Sequence, residues 1–224
     1  MATSSPAPVL LNGNQFHAYN PVGIKAKWLA EAADLKTRLE LPLDGVSETV
    51  LLHWFGEDLD RIGLLVYALH RVVPTHLARE LTIGSFRTDF AWACIEADLK
   101  PLVGFIEVEH ALRDSLFKQK TRIAPYIGDS FLSGFSQLID WCSFGRGQAT
   151  TDPQVSAVVG KTPGPVHYYF SLVVGQDRFI PGQLEEDRFD WWKGNLKLGQ
   201  GTTISTYTDI QIAAAMYART HGAG

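Results

Sequence analysis

The segment Leu102-Val-Gly-Phe-Ile-Glu-Val-Glu-His110 organises the rest of the chain. Its first part is apolar, which is typical of a central strand that is covered on both faces of a sheet. Side chains alternate between the two faces of a strand, so Glu107 and Glu109 are predicted to point to the same face. Two anions at the end of a buried strand repel each other and are poorly solvated. The pKa of each therefore rises unless a cation lies between them.

A second strand-like run, Phe86-Arg-Thr-Asp-Phe-Ala-Trp-Ala93, carries one further acid. Asp89 together with Glu107 and Glu109 supplies carboxylate oxygens, the ligands that hard divalent cations prefer. The alternative is a solvent-facing pair of acids, or a pair neutralised by Lys or Arg, because short motifs match by chance easily. The apolar character of the strand favours a buried pair over a pair at the sheet edge.

Composition excludes several classes of protein. The 224 residues suffice for one sizeable domain, and 46% hydrophobic with 20% charged residues is ordinary for a soluble globular protein. A formal charge of -4 excludes a general attraction to polyanions, so contact with nucleic acid requires a local basic patch. No apolar run has the length that crosses a membrane, and no signal pattern opens the chain. Cys94 and Cys142 form no C-x-x-C pair, which favours free thiols in a reducing cytoplasm.

The chain divides into three predicted parts. Residues 1–23 are rich in Ser, Pro, Asn and Gly and are predicted to form a flexible N-terminal arm. Residues 24–44 contain one helix with apolar side chains at helical spacing. Residues 45–224 are predicted to form a single α/β domain, with no internal repeat and no linker.

Within this domain the periodicity changes from helical to strand-like and back. A hairpin at Gly84-Ser85 is predicted to join the first two strands. Residues 145–165 are rich in Gly, Thr and Pro and are predicted to form a loop. The prediction is an α/β fold with a mixed sheet of four or more strands, flanked by helices at 47–72, 131–142 and 206–219. The strands are predicted at 77–83, 86–94, 102–109, 166–174 and 202–205, and a further short helix at 185–195.

Several short motifs follow one another along residues 45–219. They are Glu80-Leu-Thr-Ile-Gly84, Thr88-Asp89-Phe90, Ile106-Glu107-Val-Glu109, Ser136-Gln137 on a predicted helix, Val173-Val-Gly175 and Thr206-Tyr-Thr-Asp-Ile210. Their order resembles the PD-(D/E)XK restriction-endonuclease-like superfamily and, within it, the Shedu-type anti-phage nucleases. Each motif is short, so the resemblance depends on their order.

This resemblance implies a restriction-endonuclease-like mixed sheet and hydrolysis of nucleic-acid phosphodiesters, of DNA in bacterial anti-phage defence, with Mg²⁺ or Mn²⁺ as cofactor. Asp89 and Glu107 would be the principal cation ligands, with Glu109 beside them and Glu80 as a more distant acid. Gln137 would orient the nucleophile or a phosphate, which completes a catalytic set of Asp89, Glu107, Glu109 and Gln137. We also expect a homo-oligomer without membrane association. The expected nucleic-acid contacts are Arg87, Arg113, Lys118, Lys120 and Arg122.

The sequence departs from the family pattern at Glu109, which occupies the position of the family's lysine. A lysine there stabilises developing negative charge, and a glutamate reverses the sign. Glu109 could recruit a second cation, or a lysine such as Lys118 or Lys120 could have taken over the role. In the third case the protein is a catalytically degenerate module that binds nucleic acid or assembles subunits. A serine or cysteine hydrolase has little support, because the chain contains no G-x-S-x-G motif.

Overall fold

A computed structural model of the protein describes residues 13–20, 24–96, 99–118, 125–160, 165–196, 198 and 201–221. A six-stranded mixed sheet lies at its centre. Its strands, in spatial as well as chain order, are β1 (His17–Ala18), β2 (His76–Arg79), β3 (Phe90–Cys94), β4 (Leu102–Val108), β5 (His167–Val173) and β6 (Thr202–Ser205). The pairs from β1 to β4 are antiparallel, whereas β4 with β5 and β5 with β6 are parallel. The predicted α/β fold with a mixed sheet of four or more strands is confirmed.

Helices cover both faces of this sheet. They are α1 (Ile24–Glu40), α2 (Glu48–Gly56), α3 (Leu59–His70), α4 (Asp129–Asp140), α5 (Arg146–Thr151), α6 (Pro153–Val159), α7 (Gln183–Asn195) and α8 (Tyr207–His221). A π-helical turn, Trp141–Gly145, continues α4, and a 3-10 turn, Asp177–Phe179, precedes α7. Three short antiparallel ladders complete the structure: Gly45–Val46 with Ala111–Leu112, Thr82–Ile83 with Phe86–Arg87, and Phe117–Lys118 with Tyr126–Ile127. The second ladder confirms the predicted hairpin.

Strand β4 separates two hydrophobic cores. Ile106 and Val108 pack on one side with residues of α1, α2, α3 and α8. Val103 and Phe105 pack on the other side with residues of α4 to α7. Burying one such side chain contributes about 1.5–3 kcal/mol, so apolar residues on both faces keep this strand at the centre. Gly104 leaves room for Trp92 of β3, because a Cβ atom there would lie 2.1 Å from the indole Nε1 atom.

The prediction of a flexible arm over residues 1–23 is wrong in part. His17–Ala18 forms the edge strand β1 and pairs with β2. Tyr19 is buried, and its hydroxyl donates a hydrogen bond of 2.7 Å to Oδ1 of Asp60 on α3. These contacts hold this part of the arm on the domain, and the composition of the segment does not reveal them. Residues 1–12 and 21–23 lie outside the described residues.

The predicted loop at 145–165 is also wrong, because α5 and α6 occupy most of it. Oδ1 of Asp152 accepts hydrogen bonds from the backbone N–H groups of Gln154 and Val155, at 2.8 and 3.2 Å. Pro153 follows as the first residue of α6, where its missing N–H has no cost. The Asp-Pro pair is therefore a helix start that the Gly, Thr and Pro content concealed.

Two further expectations concern the membrane and the cysteines. Among the residues that the structure describes, no helix combines the length and the apolar character needed to cross a bilayer. Cys94 is buried, Cys142 is partly buried, and both are free thiols.

Candidate metal centre

A cavity of about 250 Å³ opens at the carboxyl end of β4. Of the described residues, five with acidic and one with a basic side chain line it, which gives its wall an excess of acidic groups. The acids are Glu48, Asp89, Glu107, Glu109 and Asp140, and the base is Arg87. Ser85, Phe86, Val108, Gln137 and Trp141 complete the wall. All four residues that the sequence predicts as catalytic therefore lie around one cavity.

Asp89 and Glu107 meet because β3 and β4 run antiparallel, with Phe90 opposite Ile106. Oδ2 of Asp89 accepts a hydrogen bond of 2.8 Å from the backbone N–H of Val108, one residue beyond Glu107. Thr88 is fully buried, and its hydroxyl donates to the carbonyl oxygen of Ile106 at 3.0 Å. These two contacts fasten the start of β3 to the end of β4 and place both carboxylates at the cavity.

The pKa values of these acids reflect burial without enough positive charge. Burial raises the pKa of Asp89 to about 6, although the N–H of Val108 opposes the shift. Burial, followed by repulsion from Asp89, raises the pKa of Glu107 well above its ordinary value. Burial, followed by repulsion from Glu48, raises the pKa of Glu109 to about 7. A divalent cation would stabilise the charged forms of all three acids.

The backbone of Glu109 is held from two directions. Its N–H donates to the carbonyl oxygen of Val173 at 2.9 Å. Its own carbonyl oxygen accepts a hydrogen bond of 2.8 Å from the hydroxyl of Tyr207, which is fully buried. Val173 and Tyr207 belong to the motifs Val173-Val-Gly175 and Thr206-Tyr-Thr-Asp-Ile210. The sequence alone indicated no chemical role for either motif. In the structure both motifs help to fix Glu109 at the cavity.

Glu48 is the acid that the sequence analysis missed. It is the first residue of α2, and Gly45–Val46 just before it pairs with Ala111–Leu112 just after β4. One ligand atom each from Glu48, Glu109 and His110 lie within 4.8 Å of one another. The sequence does show an acid in the first turn of a predicted helix. The sequence around that helix does not indicate that the helix begins against the end of β4.

Helix α4 forms the opposite wall and carries Gln137, Asp140 and, in the following turn, Trp141. Its close approach depends on Gly134. A Cβ atom at this position would lie 2.3 Å from Cδ1 of Leu172 and 2.8 Å from Cγ of Glu109. A glycine at the contact thus lets α4 lie directly against the central strands and brings Gln137 to the cavity.

The predicted basic contacts are dispersed. Arg87 lines the cavity, whereas the guanidinium of Arg113 lies 3.6 Å from the carboxylate of Asp44 and above the ring of Phe179. Lys118 pairs with Asp129 and lines a different pocket. Lys120 and Arg122 lie outside the described residues. In the part of the chain that the structure describes, no lysine lines the acidic cavity, and Lys118 lies at the other pocket.

Glu80 was predicted as a more distant cation ligand, and the cavity does not include it. Its side chain is exposed, and its carboxylate lies 3.9 Å from the guanidinium of Arg79. Its backbone is left-handed, with φ of 51°, and its N–H donates to the carbonyl oxygen of Asp89 at 2.8 Å. Glu80 is therefore not among the proposed cation ligands.

The remaining donor set fits a hard cation. Glu48, Asp89, Glu107 and Glu109 offer only oxygen atoms, and Mg²⁺ typically binds one or two carboxylates and keeps several waters. Among the residues that the structure describes, Arg87 is the one base that lines the cavity, against five acids. No protein-family model matches the chain, and no curated protein matches it.

Proposed function

We propose that this protein is a divalent-cation-dependent nuclease that hydrolyses phosphodiester bonds of DNA. The observation that carries the proposal is the convergence of Glu48, Asp89, Glu107, Glu109 and Gln137 on one cavity. The raised pKa values of Asp89, Glu107 and Glu109, gathered in a cleft, are typical of functional sites. The order of motifs, from the Asp89 strand to the Gln137 helix, adds the resemblance to the PD-(D/E)XK superfamily.

Four acidic residues of the cavity have a proposed role in binding the cation. Asp89 and Glu107 would hold Mg²⁺ or Mn²⁺, with Glu109 and Glu48 as further acids of the same cavity. The bound cation supplies Lewis-acid polarisation of a phosphoryl oxygen and activation of a water. The N–H groups of Val108 and Trp141 keep the carboxylates of Asp89 and Glu107 in place.

Gln137 and Arg87 would act on the substrate. The Gln137 amide can donate to a phosphate oxygen and accept from the attacking water, which orients the two for in-line attack. The Arg87 guanidinium can bind a non-bridging phosphate oxygen through two N–H groups. At about 4 Å, one phosphate and one carboxylate repel by about 4 kcal/mol at the effective dielectric of a protein surface. Substrate binding in this acidic cavity is therefore expected to require the cation.

A second candidate function follows from Glu109. Because no lysine lines the cavity in the described part of the chain, the positive charge that stabilises a phosphorane in the family has no direct counterpart. The protein would then be a degenerate nuclease-fold module that binds nucleic acid or assembles subunits without cutting. Glu109→Lys distinguishes the two functions: it lowers cleavage if Glu109 is a ligand, and it raises cleavage if the natural site is degenerate.

The proposal extends to a biological role and an oligomeric state. The resemblance to Shedu-type nucleases supports a role in anti-phage defence in the bacterial cytoplasm, with DNA as the partner. We also propose that the protein is a homo-oligomer.

The test is cleavage of supercoiled plasmid DNA by purified protein in Mg²⁺, in Mn²⁺ and in EDTA. We expect nicked and linear products with either cation and none in EDTA. Asp89→Asn and Glu107→Gln should each reduce the rate at least about 100-fold, because each removes a principal ligand. Glu186→Gln on the exposed face of α7 is the matched control and should cleave like the natural protein.

Two results would contradict the proposal. Cation binding without cleavage of any DNA or RNA would favour the degenerate module. A protein that shows neither cation binding nor cleavage is not a cation-dependent nuclease.

A further inference from the structure

His110 connects the end of β4 to the first residue of α2. Its Nδ1 atom accepts a hydrogen bond of 3.0 Å from the backbone N–H of Glu48. This N–H is one of the four at a helix start that have no partner within the helix. Ser47, at the usual capping position, provides no side-chain hydrogen bond. The imidazole of His110 therefore caps α2 in its place.

The same hydrogen bond determines where the ring carries its proton. A nitrogen that accepts an N–H has no proton of its own, so the neutral ring is protonated on Nε2. Nε2 lies 3.6 Å from Oε2 of Glu48, which is too long for a hydrogen bond but close enough for attraction between the N–H and the carboxylate. Coordination of a metal through Nε2 would require the proton to move to Nδ1, which would break the hydrogen bond from the Glu48 N–H, or to leave the ring altogether as an imidazolate. The ring thus faces Glu48 as a donor and is poorly suited to be a ligand.

The backbone around His110 reinforces the contact. Val46 pairs with Ala111, and Gly45 pairs with Leu112. Gly45 has φ of 95°, and a Cβ atom on it would lie 2.2 Å from the carbonyl oxygen of Ala111. Only a glycine allows this close approach in this conformation. The ladder brings the start of α2 near the cavity, and the imidazole fixes the residue that carries the carboxylate.

We propose that His110 is a positioning residue, which holds the backbone and the carboxylate of Glu48 so that Glu48 joins Glu109 in binding the cation. The inference deepens the proposed function and rests on it, because it takes the same cavity as the cation site. It assigns His110 no direct contact with the cation.

A double-mutant cycle with Mn²⁺ alone tests the inference. Calorimetric titration compares the natural protein, His110→Ala, Glu48→Gln and the double variant. We expect His110→Ala to weaken Mn²⁺ binding about 10-fold in the natural background. In the Glu48→Gln background the same change should alter binding less than about two-fold, because its effect passes through Glu48. Equal losses in both backgrounds, or no loss in the natural one, would overturn the inference.

His110→Asn keeps the test informative if His110→Ala fails to fold. The Oδ1 atom of asparagine can take the place of Nδ1 and accept from the Glu48 N–H, but asparagine has no atom in the place of Nε2. We expect His110→Asn to bind Mn²⁺ within about three-fold of the natural protein and to keep its melting temperature. A loss of about 10-fold or more with an unchanged melting temperature would mean that His110 ligates the cation, and would overturn the inference.

His53→Ala is the matched control. His53 lies on the same helix, is exposed, and pairs with Glu57 away from the cavity. It should leave Mn²⁺ binding unchanged. If the natural protein binds no Mn²⁺, the proposed function fails together with this inference. If it binds Mn²⁺ without coupling between His110 and Glu48, only the inference fails.

Discussion

The indole N–H of Trp141 donates a hydrogen bond of 2.7 Å to Oε1 of Glu107. Trp141 also stacks on Phe105 of the same strand, with ring centroids 4.5 Å apart and ring planes at 9°. The turn after α4 therefore holds the central carboxylate of the cavity through one polar and one aromatic contact. The hydrogen bond orients Glu107, and the stacking keeps the indole from rotating away.

Trp141→Phe should separate these two contacts. Phenylalanine keeps the stacking on Phe105 and loses the N–H, so the protein should fold while Glu107 loses its orientation. We expect Mn²⁺ affinity to fall about 10-fold, measured by calorimetry. Trp191→Phe is the matched control, because Trp191 is 59% exposed. Equal affinities for the natural protein and Trp141→Phe would show that the hydrogen bond has no part in cation binding.

The raised pKa of Glu109 predicts a pH-dependent stability in the absence of cation. Its pKa is about 7 in the folded protein and about 4.3 in an unfolded chain. A carboxyl group shifted upward contributes stability that is fully present below the unfolded pKa and is lost as the pH rises through the folded pKa. Between about pH 5 and about pH 8, Glu109→Gln should gain about 1–3 kcal/mol relative to the natural protein in EDTA.

The comparison of Glu109→Gln with the natural protein also cancels the contribution of His70, whose dependence on pH is opposite. Burial lowers the pKa of His70 to about 4, so His70 stabilises the fold above its unfolded pKa and loses that contribution as the pH falls. Its effect is the same in both proteins and cancels in the difference. Urea unfolding at the two pH values measures the difference. A difference that does not change with pH, or that favours the natural protein at about pH 8, would contradict the raised pKa.

Substitutions of Arg87 and of Lys118 should affect DNA cleavage differently. Arg87 lines the cavity, and Lys118 pairs with Asp129 at another pocket. Arg87→Ala should raise the KM for DNA about 10-fold, because it removes a charged contact with phosphate. It should not weaken Mn²⁺ binding measured in the absence of DNA. Lys118→Ala should leave the cleavage rate within about two-fold. Loss of cleavage in Lys118→Ala would support a relocated lysine instead.

Gly134→Ala should move α4 away from the central strands. The added methyl group would meet Leu172 and Glu109, and α4 carries Gln137. We expect destabilisation by about 1–3 kcal/mol together with a lower kcat. Gly147→Ala on α5 is the matched control, because a Cβ atom there meets nothing within 4 Å. Thermal melts and single-turnover cleavage measure the two effects, and equal behaviour of the two variants would contradict the packing argument.

The parts of the fold that follow from local pattern could be predicted from the sequence. The apolar run before Glu107 indicated a strand covered on both faces, and alternation placed Glu107 and Glu109 on one side of it. Glu48 and His110 could not be joined from the sequence, because 62 residues separate them and their contact depends on a two-residue ladder. The edge strand at His17–Ala18 was missed for a similar reason, since backbone pairing and one buried tyrosine determine it.

The central claim is that Asp89 and Glu107 share a divalent cation. Anomalous diffraction from crystals soaked in Mn²⁺ tests it most directly, because the anomalous signal identifies the ion and its position. We expect a peak within coordination distance of oxygen atoms of both Asp89 and Glu107, and its disappearance in Glu107→Gln. Occupied Mn²⁺ sites elsewhere on the protein with no peak in this cavity would contradict it.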